Sequence, residues 1–280
     1  MHAQSVTRNA IRVFKIGLLT LPLIAAAWFF GTVCRRMETG HLLLAFDVRP
    51  ALLLLRDLVL AWATLALMST VVALLFRPLW MAAVAFVLAG LALLLGAGVT
   101  ATHALIALWF LLAGLGYAAI MQHDVSQRIE FSIIPVAAGQ FGFLVVLLVL
   151  AIGAFYMGAA SHVRTAGFLL PNSYAEDLAE RLASRVAAVF PALIQQEVHD
   201  SVRGYARQLL TEELDRLMVP VRPYLPIAAA IALFLPLLAV ACVLPWVILP
   251  VLWFLLLLLS MVGLTRIVTE TREVKRLVLS

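Results

Sequence analysis

Residues 222–266 read RPYLPIAAAIALFLPLLAVACVLPWVILPVLWFLLLLLSMVGLTR, and no charged side chain stands between Arg222 and Arg266, a gap of 43 residues. A straight helix of that length would measure about 65 Å, roughly twice the hydrocarbon thickness of a bilayer. The stretch therefore predicts a turn, placed around Val243 to Leu249 beside Pro245 and Pro250. Residues 226–265 are expected to form a transmembrane or re-entrant hairpin whose ends leave on one face. Pro226 and Pro236 are expected to bend or break its first helix, since proline removes a donor and clashes with the preceding turn.

The rest of the chain has the same character. Of 280 residues, 64% are hydrophobic and 12% charged, against about 45–50% and about 25% in soluble domains. An ordinary soluble enzyme, a disordered chain and a disulfide scaffold are excluded. An all-α, polytopic helical membrane protein of about seven transmembrane helices is expected, with the lipid bilayer as its environment. Barrels need period-2 alternation, which the apolar runs lack.

Five further runs lie in an N-terminal membrane domain over 1–160. They span residues 16–33, Leu58–Phe76, Pro78–Val99, Ala104–Met121 and Ile133–Ala160. Gly96, Gly98, Thr100 and Thr102 supply a turn between the third and fourth. The first run is read as an uncleaved helix rather than a signal peptide, because no small-x-small site follows it convincingly. Residues 41–57, broken by Asp47, Arg49, Pro50, Arg56 and Asp57, are expected to lie along the interface. Charge at mid-membrane is costly, so Arg56 and Asp57 would mark the start of the second helix.

Seven crossings would put residues 34–57, 161–225 and the basic tail 266–280 together. That face would hold fifteen Lys/Arg against Arg8, Arg12, Lys15, Arg77 and Arg128 on the other. Residues 161–225 and the C-terminus are thus expected in the cytoplasm, with the N-terminal charges dissenting. The net charge of +5 is read as this topology signal, and no nucleic-acid partner is expected.

Residues 161–225 form the one soluble-like segment. Ser173 and Glu176 make a capping box. An apolar stripe then follows at Leu178, Leu182, Val186, Val189, Leu193, Val198, Val202, Tyr205 and Leu209, with spacings mostly of three and four. Its acids balance its arginines, and it has no Lys, unlike a helix adsorbed on anionic lipid. A helical hairpin or stalk is expected, facing a second copy or a membrane-protein partner through residues 173–219.

Motifs for chemistry are missing. Cys34 and Cys242 have no metal spacing. His103 and His123 sit at opposite ends of one helix, about 30 Å apart. His41, His162 and His199 lack a set of ligands one turn away. No catalytic or metal residues and no cofactor are assigned. Gln140 is the one strongly polar residue within an apolar run, a candidate either for lining a pore or for packing helices beside Gly139 and Gly142. Gly90, Gly114 and Gly116 are read as close-packing positions. The expected function is that of a non-enzymatic accessory or scaffold protein. A channel or permease subunit for a neutral or hydrophobic solute is the alternative.

Overall fold

A computed structural model describes residues 2–39, 48–127, 134–166, 181, 216 and 220–261. Five helices lead the chain: α1 His2–Thr39, α2 Val48–Leu75, α3 Leu79–Ala97, α4 Ala101–Gln127 and α5 Ile134–Ala166. A short 3-10 turn, Arg222–Tyr224, then opens α6, Leu225–Met261. The described residues contain no strand, and six helices are long and apolar enough to cross a membrane. The protein is a polytopic helical membrane protein, with six such spans among the described residues.

The seventh span is corrected. Residues 225–261 are one continuous helix with Pro236, Pro245 and Pro250 inside it, and the turn expected near Val243 to Leu249 is not there. Prolines are tolerated in membrane helices because neighbouring groups and small local adjustments satisfy the backbone they free. A turn in lipid would expose far more unpaired backbone. The hairpin, and with it the shared face of its two ends, is lost: about 55 Å of helix separates Leu225 from Met261.

A second correction concerns residues 48–57. They are the first turns of α2, so Arg56 and Asp57 lie within that helix and do not begin it. The stripe from Leu178 to Leu209 and its capping box lie outside the described residues.

Charges and turns place the bundle in its slab. From Lys15 to Arg35 on α1 is about 30 Å, from Asp57 to Leu75 on α2 about 27 Å, and from His103 to Asp124 on α4 about 32 Å. Each matches the hydrocarbon thickness. The α3–α4 connection is tight. Gly98 caps α3 at φ 96°, its N–H donating to Leu94 O, a left-handed conformation that favours glycine. Thr100 then caps α4, its Oγ1 accepting from the His103 N–H at 3.2 Å.

α1 is wedged among α2, α3 and α5. At Gly31 a Cβ would run into the backbone of Leu93, and at Gly96 into the backbone of Trp28. α1 and α3 therefore cross with their main chains in contact. Gly158 on α5 meets the Glu38 carbonyl in the same way. Of the glycines read from sequence, Gly114 accommodates the Phe86 ring, and Gly90 makes ordinary contact with Ala107. Gly116 has open space and packs against nothing nearby.

Gly31→Ala is expected to lower unfolding stability by about 1–3 kcal/mol, because the backbones must separate. Gly17→Ala, where nothing lies within 4 Å, should be neutral or slightly stabilising. Thermal unfolding of the two variants in one detergent compares them.

Candidate functional site

Two polar groupings are embedded in the bundle. The first surrounds Gln140. This side chain is fully buried on α5 and donates from Nε2 to Thr70 Oγ1 of α2 at 3.3 Å. Thr70 Oγ1 donates to the Ala66 carbonyl at 2.8 Å and stands 2.9 Å from the Tyr117 hydroxyl of α4. With its one proton on Ala66, the threonine oxygen accepts from both Gln140 and Tyr117. It has one proton given and two lone pairs filled, so three helices meet on a saturated hydroxyl. Gln140 Oε1 and the buried Ser69 Oγ have no partner among the described residues, a real cost in a low-dielectric interior.

An aromatic layer lies beside this node. The Tyr117 ring stacks on Phe143 with centroids 5.0 Å apart, and Phe110 bridges Phe143 and Phe86 at 6.4 and 6.1 Å. Trp62 Nε1 donates to the Leu144 carbonyl at 3.0 Å, tying α2 to α5. Gln122 Nε2 donates to the Phe76 carbonyl at 2.8 Å, tying the end of α4 to the end of α2.

The second grouping is at the opposite membrane face, where α1 ends and α4 begins. His103 is almost fully buried. Its Nε2 lies 2.9 Å from Glu38 Oε2, an ion-pair distance that lacks the direction of a hydrogen bond. Its Nδ1 lies 2.9 Å from Thr100 Oγ1. Thr100 Oγ1 thus meets both the His103 backbone N–H and the ring Nδ1, which fixes the imidazole at the start of α4. On the outer side of the same end, Asp57 of α2 accepts from Arg36 of α1 and from its neighbour Arg56.

Sequence spacing missed the Glu38–His103 pair because its members sit on different helices. A search one turn either side of His103 finds only Thr100. The one signal available was that both residues bound apolar runs ending on the same face. The described residues contain no group of three or more potential metal ligands. His123 is exposed at the other end of α4, and His162 is half-buried on α5. His41 and His199 lie outside the described residues. Trp80, Trp109 and Trp246 are exposed on the outside of the bundle, as side chains facing lipid or its interface would be.

No family model, curated protein or solved structure matches this chain.

Thr70→Val is expected to cost about 1–3 kcal/mol, because it strands both the Tyr117 hydroxyl and the Gln140 amide in the core. Gln140→Leu should cost under about 1 kcal/mol, as interhelical hydrogen bonds in membranes usually do. It also removes an oxygen that has no partner. Unfolding titrations in mixed micelles rank the two, and the reverse order would mean that Gln140 does more than bond Thr70.

Proposed function

We propose that this chain is a non-enzymatic integral membrane protein of the accessory or scaffold type, assembling with itself or a membrane-protein partner through residues 173–219. The observation that supports this reading is the filled interior. The fully buried Gln140 gives its amide to Thr70, holding α5 to α2, and four aromatic rings pack beside it. The alternative, a channel or permease subunit for a neutral or hydrophobic solute, would require a path through that packing. The apolar stripe from Leu178 to Leu209 supplies the assembly surface.

Deleting residues 173–219 should convert the solubilised protein to a smaller species on size-exclusion chromatography, or release a bound partner. An unchanged elution position would overturn the assembly role. Solute flux through liposomes containing the purified protein, altered by Gln140→Leu, would instead favour the channel.

Six crossings also revise the orientation. With alternating helices, the N-terminus, the 76–78 and 128–133 connections and the tail share one face. That face carries Arg8, Arg12, Lys15, Arg77, Arg128, Arg266, Arg272, Lys275 and Arg276. The other carries Arg35, Arg36, Arg49 and Arg56 near its short connections, with Arg164 and Arg222 flanking residues 167–219 and five more arginines within that segment. The charges are thus nearly balanced between the faces, and the crossing number alone places both termini on one face and residues 167–219 on the other. Single reporter cysteines at Ser201 and Ser280, in a background with Cys34 and Cys242 replaced, should label from opposite sides. Labelling of both from one side would refute six full crossings.

A further inference from the structure

We propose that Arg36 and Arg56 form a clamp for the phosphate of an anionic phospholipid headgroup, set where α1 and α2 meet. Both guanidiniums are anchored on one carboxylate. Arg36 Nη1 reaches Asp57 Oδ2 at 3.2 Å, while Arg56 reaches Oδ1 through Nε at 3.2 Å and Nη2 at 2.9 Å. The carboxylate lies below them, with its side chain 19% exposed, and both arginine side chains are 62% exposed. Asp57 therefore fixes two cations side by side and neutralises only one. The exposed Arg35 adds a further positive charge next to them.

The depth suits a headgroup. Asp57 stands about 27 Å along α2 from Leu75, one hydrocarbon thickness from the opposite interface. On the same face of α2 as Arg56, one turn deeper, Leu60 is 50% exposed and offers an apolar wall for an acyl chain. A planar guanidinium presents parallel N–H groups that match phosphate oxygens. Arginines that merely extend to the interface from a helix end need no common carboxylate. The clamp rests on its geometry and not on which face is cytoplasmic, and its test is carried out in detergent, where sidedness has no effect.

The test uses the full chain in neutral detergent, with thermal unfolding and native mass spectrometry as readouts. Phosphatidylglycerol should raise Tm and stay bound, while phosphatidylcholine should do neither. Arg36→Gln with Arg56→Gln should abolish the shift. Arg36→Lys with Arg56→Lys keeps the charge but loses the fork, and should bind phosphatidylglycerol about tenfold more weakly, the equivalent of one charge-assisted bond. Arg164→Gln, a basic residue of the same face on α5, should behave as wild type. An equal shift for wild type and the glutamine pair would overturn the clamp. If the glutamine pair does not fold, wild-type affinity in the lysine pair overturns it instead. A shift of the same size with inorganic phosphate would show a free-anion site and overturn the lipid assignment.

Discussion

Where α1 crosses α3, two main chains touch with no side chain between them. Gly31 faces the backbone of Leu93, and Gly96 faces that of Trp28. Lipid tails are as apolar as leucine, so helices in a bilayer gain little by hiding apolar surface from them. They associate through close packing and hydrogen bonds. The glycine crossing sets how far along its axis α1 sits. Three contacts at its end follow from that position: the Glu38 carbonyl against Gly158, the Glu38 carboxylate against His103, and Arg36 against Asp57. A shift of α1 by one residue, about 1.5 Å, would misplace all three together.

The two polar groupings differ in how they are satisfied. Around Thr70 the hydrogen bonds are internal and join three helices, with the hydroxyl using its full capacity. The pairing at the end of α1 is electrostatic and graded by depth. The buried imidazole of His103 is matched with one partly exposed carboxylate, and two exposed guanidiniums share another. Exposed pairs of the second kind contribute little to stability, about 0–1 kcal/mol each, so Arg36, Asp57 and Arg56 account for local arrangement rather than for the fold.

Much of the architecture was legible in the sequence, because charged residues bound the apolar runs. Arg35, Arg77, Asp124 and Arg164 lie at or beside the ends of membrane spans. The Gly98–Thr100 connection was also legible from composition. Two features were not. Pro236, Pro245 and Pro250 read as breaks by rules learned from soluble helices. In lipid the alternative to a continuous helix is an unpaired backbone, and the helix wins. The partnership of Glu38 with His103 joins residues on separate helices and leaves no periodic trace. For Gln140, the sequence offered pore and packing readings together. The neighbour that occupies its amide, Thr70, is one of several hydroxyl residues in the second run, and nothing local distinguishes it.

The buried positions of α6 run from Pro226 to Leu252, and its last nine residues carry none. About 13 Å of apolar helix thus continues past its last buried residue, with Leu255 and Leu256 still touching the core and Trp253, Phe254, Leu257 and Leu258 turned outward. A helix of about 55 Å in a hydrocarbon layer of about 30 Å must incline steeply or thicken the lipid around it. Each ångström of mismatch costs a fraction of a kcal/mol. That load falls on the contacts of α6 with α5 and α2, along the line of buried positions that reaches Leu252. The helix is a lever held along most of its length and free over its last turns, and the thickness of the surrounding membrane sets how hard it pulls.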